Sequence, residues 1–273
     1  MGTPAEAVSG LPRVLTIAGS DSGGGAGIQA DLKVFLALGC HGMSAITALT
    51  AQNTTAVTGV HEVPPEFVIA QIDAVATDIG IDAAKTGMLA SGAIVEAVVK
   101  AVEAHDIAPL VVDPVSVSKS GDVLLADDAI EVLRARLVPL ATVLTPNLLE
   151  AGMLLGEEVR SADEMRDAAR ALRALGPGYV LVKGGHLTGG EAVDVGFDGT
   201  GFEEFAGPRF DTRDTHGTGC ALSAAIAARL GAGDDVSEAV SHAKGFVSGA
   251  IRRGLRIGRG HGPVNPGWRQ ALG

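Results

Sequence analysis

RVLTIAGSDSGGGAGIQA, residues 13–30, decides the fold. Residues 13–18 are apolar enough to form a strand buried on both faces, and residues 19–27 form a glycine-rich turn. Apolar residues then recur at 28, 32, 35 and 36, the spacing of one helical face, which predicts a helix over 28–38. Strand, tight turn and helix together make a βα unit.

The alternation continues outward from there. Strands are predicted at 41–50, 82–86, 110–113, 142–145 and 179–183, and helices at 67–79, 94–104, 127–137 and 162–175. Residues 191–210 carry strand and turn signals, and helices over 219–230 and 236–252 close the chain. Strands separated by helices of this length pair in parallel and need helices on both sheet faces, so the fold class is α/β with a mostly parallel central sheet. No long linker, internal repeat or low-complexity segment appears. Residues 1–273 are therefore read as one domain, with about 1–12 as a loosely attached tail. Ligands in such sheets bind beyond the carboxyl ends of the strands, where Asp21, Asp113, Asn147 and Lys183 fall.

The chain is 47% apolar and 19% charged, a globular composition. Its net charge of −11 argues against a nucleic-acid or lipid-surface partner, and 3% aromatics argue against base stacking. A small anionic ligand stays open, because a few local donors outweigh the global field at short range. The two cysteines, Cys40 and Cys220, give no disulfide framework and suit a reducing cytoplasm. The start of the chain does not read as a signal peptide, and no apolar run approaches the ~20 residues that span a bilayer.

Five constellations carry chemistry. Residues 25–30 match a relaxed GxGxxA fingerprint, but the acid that would hold a ribose about 20 residues on is missing from 47–53. A dinucleotide oxidoreductase is thereby disfavoured, as is a P-loop, since no GxxxxGK[ST] occurs. Asp113 and Glu150 end neighbouring strand connections and have the oxygen donors Mg²⁺ prefers; equally, Asn147 or Glu150 caps the helix that follows. Lys183 at a strand end meets either a nucleotide phosphate or a nearby carboxylate. DTHGTGCALSAA, residues 214–225, places Gly217, Thr218, Gly219 and Cys220 at a helix N-terminus, where bare amides and the helix dipole favour an anion. Cys220 is then a small core residue or a thiol lowered by that field, and His216 a phosphate contact or a solvated loop residue.

These stretches resemble one family. TIAGSDSGGGAGIQADLK, AITALTAQNT, AAKTGMLAS, VVDPV, LTPNLLEA, VLVKGGH, DTHGTGCALSAAIAA and GHGPVNP, spread over about 13–265, are similar to the hydroxymethylpyrimidine/phosphomethylpyrimidine kinases of thiamine biosynthesis, which are ribokinase-like. The resemblance implies a ribokinase-like fold, ATP as co-substrate with Mg²⁺, two successive phosphorylations of an aminopyrimidine alcohol, and a homodimer. It implies Gln52 on the aminopyrimidine, with Gly19, Asp31 and Met88 lining the same pocket. It further implies an anion hole from Gly217 to Gly219, Cys220 as base, Lys183 with Asn147, Thr215 and His216 toward ATP, and Asp113 and Glu150 toward Mg²⁺. Pyridoxal kinase on the same fold is the nearest alternative, although 116–120 lacks the lid cysteine some of those enzymes carry. A non-catalytic pyrimidine-binding relative is a further alternative, and 119–126 is read as a flap over the site.

Overall fold

The computed structural model describes residues 10–117, 121, 124–185 and 190–270. Its strands are β1 (Arg13–Asp21), β2 (His41–Gln52), β3 (Val57–Glu62), β4 (Ala83–Thr86), β5 (Leu110–Val112), β6 (Val143–Leu144), β7 (Tyr179–Val182), β8 (Ala192–Phe197) and β9 (Phe202–Gly207). The helices are α1 (Gly27–Ala37), α2 (Pro65–Asp78), α3 (Gly92–Ala104), α4 (Asp127–Val132), α5 (Leu148–Leu155), α6 (Ala162–Arg173), α7 (Thr218–Gly231) and α8 (Val236–Arg252).

One nine-stranded sheet runs in the order β3-β2-β1-β4-β5-β6-β7-β8-β9. Strands β2, β1, β4, β5, β6 and β7 are parallel, and β3, β8 and β9 add antiparallel edges. The central strands are apolar throughout because both sheet faces are covered. Leu15 and Ile17 pack with α2 and α3, while Val14, one residue away, packs with α1, α7 and α8. The strand order reverses beside β1, so the βα turns after β1 and β4 open a crevice at the carboxyl edge.

Three differences from the sequence reading have physical reasons. Strand β3 was not expected, since a strand exposed along nearly its whole length carries no buried pattern. Helix α5 is only eight residues long, too short for periodicity to declare it. The helix read over 127–137 is α4 followed by a π-helical turn at Leu133–Leu137. Residues 1–9, 118–120, 122–123, 186–189 and 271–273, and with them half of the flap segment and His186, lie outside the described residues.

Candidate active site

A cleft of about 1320 Å³ lies along the carboxyl edge of the sheet, lined by β1, β4, β5, β6 and β7 ends and by the first turns of α5 and α7. Gly19, Gln52, Met88, Asp113, Asn147, Glu150, Lys183, Thr215, His216, Gly217, Thr218, Gly219 and Cys220 all line it. At one end, Gly19 N–H donates to the Met88 carbonyl at 3.1 Å, and a side chain at 19 would meet Met88 Sδ at 3.1 Å. Without a side chain at 19, β1 and the connection after β4 pack directly against each other at this end of the cleft.

The glycine-rich turn after β1 folds around Asp21. The amides of Gly23, Gly25 and Ala26 donate to its carboxylate at 2.7, 2.9 and 2.8 Å. These donors are consumed inside the chain, so this turn has none of them to offer a pyrophosphate, and the dinucleotide alternative loses its binding loop. His216 Nε2 lies 3.0 Å from the same carboxylate and 3.4 Å from Gln52 Nε2. Burial works against the Asp21 anion, but the bonds from His216, Ala26 and Gly23 outweigh it and hold the acid below its ordinary range. His216 was read as an ATP contact or a loop residue in solvent. The structure instead buries its ring against Asp21 and Gln52, because β1–α1 glycines leave the space it fills.

Gly217 caps α7 with φ 78°, and a side chain there would meet the Gly25 carbonyl oxygen at 1.9 Å. Glycine is required on both counts. Of the four amides expected to gather an anion, that of Thr218 is drawn to the Thr215 carbonyl at 3.3 Å. Among the described residues, no hydrogen bond takes the amides of Gly217, Gly219 or Cys220. These are first-turn amides at the positive end of a fourteen-residue helix, donors of the kind an anion favours.

Asp31 does not reach the cleft, contrary to its expected place beside a substrate. It is fully buried on α1, accepting from Thr16 Oγ1 at 2.7 Å and from Lys85 Nζ at 3.1 Å. Its other oxygen, Oδ1, is buried with no hydrogen-bond partner among the described residues. Lys85 on β4 is also fully buried, yet it forms part of the cleft floor. Sequence reasoning gave Lys85 no role; the signal was a lysine inside the apolar strand AAKT. Cys220 is partly exposed at the lip. Its thiol departs from the lowering expected of a helix N-terminus: burial pushes it up to about 11, and Lys85 opposes that rise while Asp31 and Asp113 add to it.

At the other end of the floor, Lys183 Nζ lies 2.9 Å from Asp113 Oδ1 and 3.7 Å from Glu150 Oε2. Asp113 also accepts from Ser223 Oγ at 3.1 Å, and Thr145 Oγ1 lies 3.2 Å from it. Burial disfavours the Asp113 anion, and Lys183 and Lys85 together more than reverse that. Glu150 is raised to about 7 by burial and by the neighbouring Asp113 charge, against Lys183. Asn147 and Glu150 form a reciprocal capping box at the start of α5, with Glu150 N–H to Asn147 Oδ1 at 2.9 Å and Asn147 N–H to Glu150 Oε2 at 2.8 Å. The capping role open in the sequence is thus filled, and Glu150 keeps one oxygen free of the cap. Beyond Lys183, the buried Asp194 and the half-buried Lys244 pair at 2.6 Å on the outer wall, which the sequence reading did not single out.

The phosphomethylpyrimidine kinase family model matches residues 21–265. A hydroxymethylpyrimidine/phosphomethylpyrimidine kinase of Streptomyces coelicolor is 55% identical over 262 residues, 96% of each chain. A thiamine biosynthesis bifunctional protein of Geobacter sulfurreducens is 51% identical over 92% of this chain and 51% of its own length. Among solved structures, an ADP complex of Bacillus subtilis pyridoxal kinase superposes with a TM-score of 0.90 at 39% identity, covering 96% of this chain and all (100%) of that one. Sequence, sheet and cleft agree, and the chain belongs to the phosphomethylpyrimidine kinase family.

Proposed function

We propose that the cleft phosphorylates the hydroxymethyl group of an aminopyrimidine from ATP, and then extends the resulting monophosphate to a pyrophosphate, in thiamine biosynthesis. The observation that carries this reading is the pair of unengaged amides, Gly219 and Cys220, opening into the same cleft as Gln52 and Met88. Fixed donors at a helix N-terminus favour the charge that develops on a phosphoryl group in transfer. In the first step the substrate O–H bond breaks, an O–P bond forms, ADP leaves, and the proton passes to the Cys220 sulfur in its thiolate form, the minor form at neutral pH for a thiol raised to about 11. In the second step the attacking oxygen is already an anion. Lys183 and Thr215 face the nucleotide phosphates in this reading.

Asp113 and the free oxygen of Glu150 fit Mg²⁺, which takes one or two carboxylates and completes its shell with phosphates and water. Bound there, it would neutralise phosphate oxygens. We further infer a cytoplasmic homodimer; two free cysteines agree with a reducing compartment, and no helix of the described residues is long and apolar enough to cross a membrane.

The alcohol is decided by incubating the protein with ATP and either 4-amino-5-hydroxymethyl-2-methylpyrimidine or pyridoxal. Faster turnover of the pyrimidine is expected. Faster turnover of pyridoxal would reverse the assignment.

A further inference from the structure

Two glycine turns meet along the cleft. One follows β1 and covers residues 21–26; the other, residues 214–219, leads into α7. They touch backbone to backbone, since a side chain at 217 would come within 1.9 Å of the Gly25 carbonyl oxygen. At Gly25, a side chain would meet His216 Cδ2 at 2.4 Å and Pro263 Cβ at 2.9 Å. Glycine at both positions is what lets the turns approach this closely.

Packing of this kind sets a distance but no direction. The directional link is a hydrogen bond. Among the described residues, one side-chain hydrogen bond joins residues 21–26 to residues 214–219, and it runs from His216 Nε2 to Asp21 Oδ2 at 3.0 Å. Facing a carboxylate, that nitrogen carries the proton. The two side chains are only 11% and 3% exposed, so water competes little for the bond. Both ends are also anchored. Asp21 Oδ2 accepts from the Gly25 and Ala26 amides, and Oδ1 from that of Gly23. His216 N–H donates to the Gly262 carbonyl and Val264 N–H to the His216 carbonyl, both at 3.0 Å.

Each turn serves one side of the cleft. On the β1 turn, Ser22 Oγ accepts from the Gln52 N–H and donates to the Gln52 carbonyl, both at 2.8 Å. That ties the turn to the main chain of the strand bearing Gln52. The α7 turn presents the amides of Gly219 and Cys220, and His216 lies three residues before Gly219. The Asp21–His216 bond therefore connects the wall beside Gln52 to the turn that faces the phosphoryl group.

Resting on the kinase reading given above, we propose that Asp21 and His216 are a positioning pair. Their hydrogen bond fixes the α7 turn relative to the wall beside Gln52, and so fixes the substrate hydroxyl relative to the phosphoryl group it attacks. In this role neither residue touches the reacting atoms. A displacement of about 1 Å costs on the order of 10²-fold in a transfer that depends on alignment. Misalignment also admits water as the nucleophile: an O–P bond to the water oxygen forms, the bond to ADP breaks, and ADP, phosphate and a proton are released. Loss of the pair thus reads as slower transfer together with ATP hydrolysed and no alcohol phosphorylated.

The test measures kcat, the KM of each substrate, and the ATP consumed per alcohol phosphorylated in wild type, His216→Ala, His216→Gln, Asp21→Ala and the Asp21→Ala/His216→Ala double variant. In His216→Ala, kcat is expected to fall on the order of 10²-fold for both phosphorylations, with each KM changed less than about threefold and with excess ATP consumed. His216→Gln keeps an N–H donor at the end of its side chain and is expected to recover most of kcat. The double variant is expected to be no slower than the slower single one, because both changes break the same bond. Should Asp21→Ala fail to fold, the contrast between His216→Ala and His216→Gln decides, since both leave the amide bonds to Asp21 in place. An unchanged kcat in His216→Ala overturns the pair, as does a loss confined to the KM for ATP, the mark of a phosphate contact. Losses that add in the double variant, or equal losses in His216→Ala and His216→Gln, overturn it as well. A wild-type protein that phosphorylates neither the pyrimidine nor pyridoxal overturns the kinase reading itself; wild-type turnover with any of the contrary results overturns the pair alone.

Discussion

Lys85 Nζ lies 3.1 Å from Asp31 Oδ2, and neither side chain has any exposed surface. The pair joins β4 to α1 directly under the cleft, on the sheet face where Thr16 pairs in register with Lys85. Burial disfavours both charges. Asp31, Cys220 and Asp113 nonetheless keep Lys85 raised, while Asp31 is itself raised because burial outweighs Lys85 and Thr16.

Removing one partner of this pair leaves the other buried alone. Lys85→Met is expected to cost about 3–5 kcal/mol of stability, read from urea denaturation. The double variant Lys85→Met with Asp31→Asn has no stranded charge and should recover most of that loss. Equal instability of the single and double variants would show that the methylene packing of Lys85, rather than its charge, is what matters.

Cys220 gives two readouts. Its thiol, raised to about 11, should be alkylated by iodoacetamide with a rate that climbs to a midpoint near that pH, resolved from Cys40 by peptide mass spectrometry. In Cys220→Ala, the first phosphorylation should lose activity by on the order of 10²-fold, while the second, whose nucleophile needs no proton removed, loses much less. Equal losses in both steps would contradict a proton-accepting role.

Asp21 sets a pH dependence of known sign. Its folded value lies below the ordinary carboxylate value of about 4, so its stabilising effect is complete above that value. The effect is lost as pH falls through the depressed folded value. The stability difference between wild type and Asp21→Asn should therefore be constant near neutrality and shrink on acidification below about pH 4. A difference that grows in acid would mean the His216 and amide contacts do not favour the anion.

Much of the site was readable in advance because its residues follow strand ends in a parallel sheet. Gly19, Met88, Asp113 and Lys183 line the cleft where β1, β4, β5 and β7 stop, as the topology requires. Asp31 misled because a helical acid ten residues after the end of β1 looks the same in sequence whether it faces a ligand or a lysine. Lys85 was overlooked for the complementary reason: its partner lies 54 residues away. His216 is expected at the phosphates because its neighbours in the chain, Gly217 to Cys220, are expected there. Its side chain turns instead to a carboxylate 195 residues earlier.

The sequence by itself determined the alternation of strand and helix, the glycine turns and the family motifs. Those depend on local periodicity, on backbone freedom and on residues close along the chain. The pairing of Lys85 with Asp31, the grip of Asp21 on His216, the meeting of Lys183 with Asp113, and the upward displacement of the Cys220 thiol were decided only in three dimensions. Each is a question of which charges and donors share a space without water, and that is set by how strands and helices from opposite parts of the chain pack.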